Sequence, residues 1–318
     1  MKAALLRAVG VLLVLGALGL MYARAPDLPP EALVARWAPP PSDFLQAGRQ
    51  LVHFRDEGPR GDPVPIVLIH GATSSLHTWE GWAAELRERR RVISFDLPGF
   101  GLTGPRADGD YRMEADTRFV LEVMDALGVR RAVLAGNSLG GEIAWQAALM
   151  APHRVEALVL VAPAGYPLEG PAVPAGFALA HVPVLNRLFE SLLPRALVET
   201  GVRFVYEDDS RVTPELVDRY FSLMLREGNR RALVQRLGQA TPGSDAERIR
   251  SLKVPTLLIW GARDRLIPID HGRRFERDIA GSRLEVFDGV GHVPHEEAPA
   301  PTVALVRTFL RIPPGTQR

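Results

Sequence analysis

Gly136-Asn137-Ser138-Leu139-Gly140-Gly141 lies between the apolar run Ala132-Val133-Leu134-Ala135 and the helix-like Glu142-Ile143-Ala144-Trp145-Gln146-Ala147-Ala148-Leu149. The order predicts a strand, a sharp turn with serine at its apex, and a helix. Such a turn strains the backbone of its central residue and brings strand and helix close, so a β-carbon at Gly136 or Gly140 is expected to collide with the helix packing behind it. Ser138 is then held with its hydroxyl clear of the backbone, as a candidate nucleophile. The bare pattern G-x-S-x-G is weak evidence alone, and its context has to carry the reading.

Partners are expected further along, in the order serine, acid, histidine. Val254-Pro255-Thr256-Leu257-Leu258-Ile259-Trp260 reads as a buried strand and ends in the loop Gly261-Ala262-Arg263-Asp264, which puts Asp264 where α/β sheets present functional groups. A second strand, Arg283 to Asp288, leads to Gly289-Val290-Gly291-His292, with His292 the candidate base. Asp288 and Asp270 compete for the acid's role, but Asp288 reads as a strand end and Asp270 as the cap of a helix starting at His271. His295, Glu296 and Glu297 lack a second ligand group at metal-binding spacing, so they read as a helix start, and neither metal nor cofactor is called for. Acyl-transfer chemistry also needs two backbone donors for an oxyanion. The strand Val64–Ile69 runs into His70-Gly71-Ala72-Thr73. The amides of Ala72 and Leu139 are the expected donors; His70 and Gly71 are expected to shape the loop, with no proton-transfer role for His70.

With these motifs and the Asp96-Leu97-Pro98-Gly99-Phe100-Gly101 loop in view, the chain resembles an α/β-hydrolase of the lid-bearing branch. The resemblance implies a mostly parallel central sheet flanked by helices, with a helical lid inserted, and a Ser138-Asp264-His292 triad. It implies a core over residues 47–163 and 251–318 and a lid over 164–250. The first lid segment, Phe177 to Leu193, is rich in leucine, valine and phenylalanine, and Thr213-Pro214 opens a later helix with Thr213 as N-cap. That much apolar surface favours a small apolar ester. Asn137 makes the elbow similar to that of the carbon-carbon bond hydrolases of ring-cleavage products, which usually carry tryptophan after the catalytic histidine and an arginine in the lid helix. Here Val293 and Tyr220 stand at those places. Val161-Ala162-Pro163-Ala164-Gly165 and the N-terminal segment look more like monoacylglycerol lipases. Carboxylesterase or lipase is therefore the first expectation, carbon-carbon bond hydrolase the second, and a catalytically silent binding protein the third.

Gly99-Phe100-Gly101-Leu102-Thr103-Gly104 fits a dinucleotide fingerprint but is followed by the breaker-rich Pro105-Arg106-Ala107-Asp108-Gly109-Asp110, so no helix opens there to hold a pyrophosphate. A net charge of +1 over 318 residues gives nucleic acid no attraction. The absence of cysteine excludes disulfides and thiolate chemistry. Oligomeric state leaves no mark in the sequence. Lys2 and Arg7 precede an apolar run, Ala8 to Met21, which reads as an export signal or anchor over residues 1–25, followed by a proline-rich stalk over 26–46. Retention as a membrane anchor with the catalytic domain on the non-cytoplasmic side is the expectation. The alternative is a secreted or periplasmic protein after cleavage.

Overall fold

The computed structural model describes residues 2–168 and 191–313. Eight strands form one sheet: β1 (Ser42–Ala47), β2 (Gln50–Glu57), β3 (Ile66–Ile69), β4 (Val92–Phe95), β5 (Ala132–Asn137), β6 (Val155–Val161), β7 (Thr256–Gly261) and β8 (Arg283–Phe287). Their order is β1-β2-β4-β3-β5-β6-β7-β8. β4 through β8 are mutually parallel with β3 among them, while β2 runs antiparallel to both β1 and β4. β3 through β7 are apolar along almost their whole length because both faces of a parallel sheet are covered.

Alternate residues divide between two cores. On one face Ile66, Leu68, Val133, Ala135, Val159, Val161, Leu257 and Ile259 meet Trp79, Trp82 and Leu86 around α3 (Glu80–Leu86), with Val303 and Val306 of the C-terminal helix Pro299–Phe309. On the other, Val67, Ile69, Leu134, Leu160, Leu258 and Trp260 meet α4 (Met113–Ala126) and α5 (Leu139–Met150). Chain order reverses between β3 and β5, whose partners include Ile69 and Gly136. The crevice beyond their carboxyl ends is where such sheets bind ligands.

Between β6 and β7 the described residues form the helices Arg195–Val205, Pro214–Met224 and Asn229–Gln239. Thr213 caps the second, its hydroxyl oxygen accepting from the Leu216 amide at 3.1 Å, as expected. Phe177 to Glu190, the greater part of the apolar segment singled out in the sequence, lies outside the described residues.

Among the described residues no helix is long and apolar enough to cross a membrane, so the spanning anchor expected of the helix Lys2–Ala23 finds no support here. Arg7 and Arg24 confine the uncharged stretch to residues 8–23, short of the roughly 20 residues that a 30 Å hydrocarbon core requires. Nor are residues 26–46 a free stalk. They carry the helix Pro30–Trp37 and most of β1, and residues 23–28 are fastened to the β6–β7 insertion. Ala25 donates to the Ser191 carbonyl at 3.1 Å, Leu193 to Ala23 at 2.8 Å, Leu28 to Leu225 at 2.7 Å and Glu227 to Leu28 at 2.8 Å. Asp27 pairs with Arg230 at 2.6 Å.

Leu33 and Trp37 bury themselves against Leu102 and Leu223, and the Trp37 carbonyl meets His77 Nε2 at 2.7 Å. Truncating a buried tryptophan costs about 3 kcal/mol or more. Trp37→Ala is therefore expected to lower unfolding free energy in a denaturant titration by about that amount, whereas a free stalk would leave it unchanged.

Candidate active site

β5 ends at Asn137, α5 begins at Leu139, and Ser138 turns the corner with φ 54° and ψ −118°. This is the left-handed region, which costs a side-chain-bearing residue on the order of 1–3 kcal/mol. Several contacts hold it there. Ser138 donates its amide to the Val161 carbonyl at 3.1 Å, and its own carbonyl accepts from Glu142 and Ala164, each at 3.0 Å. A β-carbon on Gly136 would come within 2.2 Å of the Gly140 carbonyl oxygen, and one on Gly140 within 2.2 Å of the Ile69 carbonyl oxygen. The glycines thus let β3, β5 and α5 approach closely, as the sequence predicts, although Gly140's close neighbour is strand β3.

Asp264 and His292 follow β7 and β8, at the same end of the sheet, and both are buried. His292 Nδ1 lies 2.7 Å from Asp264 Oδ2. The other carboxylate oxygen, Oδ1, accepts from the Leu266 amide at 2.8 Å and the Ile267 amide at 2.9 Å. An ionised carboxylate only accepts, so Nδ1 carries the imidazole proton and Nε2 keeps a free lone pair. Nε2 is buried and has no hydrogen-bond partner among the described residues. Asn137 ties the loops together, its side-chain amide donating to the Val161 carbonyl at 3.1 Å and the His292 carbonyl at 3.2 Å.

Ala72 and Leu139 sit in the turn after β3 and at the start of α5. The first amides of a helix have no intrahelical acceptor and are free to meet an anion. Gly71 is needed where it stands, since a β-carbon there would approach Asn137 Oδ1 at 2.8 Å and the Ser138 β-carbon at 3.2 Å. His70 accepts the Leu97 amide on Nε2 at 2.9 Å, so its protonated Nδ1 donates to the Gly71 carbonyl at 2.7 Å. Burial holds His70 below the usual histidine range. Both ring nitrogens are engaged with backbone, which braces the loop.

The competing residues fall away. Asp288 follows the end of β8. Asp270 does not cap its helix, contrary to expectation: the helix is Ile269–Asp278, Pro268 holds the cap position, and Asp270 pairs with Arg273 at 2.8 Å. His295 lies in the short helix Pro294–Glu297 within 2.9 Å of the Thr78 hydroxyl, and burial pushes it down to about 3. Among the described residues no cluster could hold a metal ion. The glycine motif at Gly99 closes on itself, Gly99 donating to the Gly104 carbonyl at 2.7 Å, and the next helix begins only at Met113.

Sequence reasoning missed a buried dyad. Asp96 Oδ2 meets His53 Nδ1 at 2.7 Å and accepts the Leu102 amide at 2.8 Å, while Oδ1 accepts the Leu76 amide at 2.7 Å. Burial by itself would raise the Asp96 carboxyl, but His53 and its neighbours outweigh it and hold the acid below the usual range. Nothing in the spacing of His53 and Asp96 signals the pair, which forms only when β2 and β4 align. Tyr220 reaches toward the loop after β3, its hydroxyl 3.4 Å from Ser74 Oγ.

Residues 64–299 match the model of the alpha/beta hydrolase fold. The chain belongs to the α/β-hydrolase family. It is 31% identical over 77% of its length to 88% of a 2-hydroxy-6-oxo-2,4-heptadienoate hydrolase from Pseudomonas putida. A meta-cleavage product hydrolase from Pseudomonas fluorescens superposes with a TM-score of 0.73 at 25% identity, over 85% of this chain and 97% of that one. A membrane phospholipase A described as a bacterial virulence factor superposes with a TM-score of 0.74 at 26% identity over 98% of both chains. That span takes in the N-terminal helix as well as the hydrolase core.

Glu142, one turn into α5, has its carboxyl pushed up to about 7 by burial and by the Asp245 and Asp116 carboxylates. A carboxyl raised in the folded state contributes stability below its unfolded value, near 4.5, and loses it as pH rises through 7. Glu142→Gln is therefore expected to stabilise the protein by roughly 3 kcal/mol at pH 8 and to change little at pH 4. Denaturant midpoints at the two pH values measure the difference.

Proposed function

We propose that the chain is a serine hydrolase that cleaves carboxylic esters of apolar substrates through an acyl-enzyme on Ser138. The observation that carries the reading is the buried His292–Asp264 pair, in a loop tied through Asn137 to the strained turn that holds Ser138. His292 takes the Ser138 proton as the serine oxygen attacks the ester carbonyl. The amides of Ala72 and Leu139 face the oxygen that becomes negative. His292 then protonates the departing alkoxide, and the carbon–oxygen bond breaks to leave an acyl-serine. Water, deprotonated by His292, attacks that ester, and the proton returns to Ser138 as the carboxylic acid leaves.

The insertion between β6 and β7 serves as the lid in this reading, and Tyr220 brings it against the oxyanion turn. An ester substrate accords with Val293 and Tyr220, the two departures from the carbon-carbon bond hydrolases, and with end-to-end likeness to a phospholipase. The 31% identity to a heptadienoate hydrolase favours a second reading, attack on a carbon-carbon bond next to a ketone by the same residues. Export of the domain belongs to the proposal as well, on the positive residues that precede the N-terminal apolar run.

A fluorophosphonate probe is expected to label Ser138 in the folded protein, and Ser138→Ala to abolish labelling. An unlabelled wild-type protein would point to a silent binding protein. Turnover of p-nitrophenyl esters of increasing chain length, set beside a dienoate ring-cleavage product, then separates the two enzymatic readings. Turnover of the dienoate alone would make the carbon-carbon bond reading the correct one.

A further inference from the structure

Five residues after His292 stands an acid with no part in the chemistry above. Glu297 is 3% exposed and is surrounded by backbone amides. Oε1 accepts from Gly291 at 2.7 Å. Oε2 accepts from Glu207 at 2.8 Å and from Asp208 at 3.0 Å. The first donor lies in the histidine loop, and the other two lie just past the end of the insertion helix Arg195–Val205. The two segments also touch directly, for the His292 amide donates to the Val205 carbonyl at 2.8 Å. The approach is tight: a β-carbon on Gly291 would lie 2.6 Å from the Val205 carbonyl oxygen and 2.9 Å from the Glu207 amide. From the other side Arg265, next to Asp264, donates to the Tyr206 carbonyl at 2.5 Å.

We infer that Glu297 is a positioning residue for His292: its carboxylate locks the histidine loop to the insertion segment Val205–Asp208, so that the base is in register only while that segment is seated. The inference rests on the serine-hydrolase reading for its catalytic consequence, but the lock itself is a matter of three amides. A charged acceptor with two oxygens suits three N–H donors, since hydrogen bonds to an ionised acceptor are about twice as strong as neutral ones. No neutral side chain of the same shape replaces it. A glutamine would keep one acceptor and turn its amide protons toward the amides of Glu207 and Asp208, or toward that of Gly291. Either way the loop and the insertion separate.

Glu297→Gln is the test, read in three ways. Amide hydrogen exchange is expected to quicken together at Gly291–His292 and at Glu207–Asp208, by at least tenfold, with the sheet unaffected. Fluorophosphonate labelling of Ser138, which needs the base in place, is expected to slow at least tenfold. With a turned-over ester, kcat falls at least tenfold while KM changes less than threefold. Val123→Ala, a buried truncation in α4 far from both loops, controls for lost stability and is expected to lower Tm without slowing labelling. The inference is overturned if Glu297→Gln lowers Tm as the control does yet labels at the wild-type rate, or if exchange quickens in only one of the two segments. Should Glu297→Gln fail to fold, Glu297→Asp carries the same three readouts. Should wild-type protein not label at all, the serine-hydrolase reading fails by itself, and coupled exchange still decides the lock.

Discussion

The left-handed backbone of Ser138 is the constraint on which the rest of the site depends. A residue with a β-carbon takes φ 54° only where its surroundings leave no alternative, and here those surroundings are rigid. Three adjacent strands contribute: β5 delivers the serine, β6 accepts its amide through Val161, and β3 presses its Ile69 carbonyl to where a Gly140 side chain would stand. None of these contacts is made by a group that reacts. The strained turn at Ser138 is thus a property of parallel-sheet packing, and it would be lost if either neighbouring strand shifted register by one residue.

Around that fixed point, each loop at the carboxyl edge is fastened by a buried side chain that answers exposed backbone amides. Asp96 holds the amides of Leu76 and Leu102, and Asp264 those of Leu266 and Ile267. Glu297 holds three more. The pattern has a simple cause: a loop packed under an insertion cannot leave its N–H groups to water, and an unpaired buried amide costs as much as a lost hydrogen bond. A carboxylate meets two or three such donors at once. In Asp264 one oxygen fixes the loop while the other meets His292.

What was legible in the sequence follows from these physics. β3 through β7 appear as largely apolar runs because both faces are buried, and Ser138, Asp264 and His292 follow β5, β7 and β8. β2 was hidden. Its buried positions include His53, Arg55 and Asp56, whose partners Asp96, Glu80 and Arg91 come from distant parts of the chain, so neither alternation nor apolar content marks it as a strand. The prolines at 29–30 and 39–41 suggested a stalk where they in fact bracket a helix, because Leu33 and Trp37 find their apolar partners only in Leu102 and Leu223. In both places a local signal yielded to a tertiary one. Glu297 was read as part of a helix start, which it is, while its three amide partners were out of reach of any spacing rule.

Ser138, Asp264 and His292 follow strands of one sheet, whereas the insertion between β6 and β7 depends on segments from distant parts of the chain. It bears on the turn after β3 through Tyr220 and on the loop of His292 through residues 205–208. At its two outer points, Ser191–Leu193 and Leu225–Arg230, it is hydrogen-bonded to residues 23–28. Removing the segment before β1 would therefore strip the insertion of backbone partners at both points, leaving amides and carbonyls that it would have to satisfy by moving. The N-terminal region is in this sense part of the insertion's own support. The insertion is thus held in place by a strap more than a hundred residues earlier in sequence than the elements it fastens.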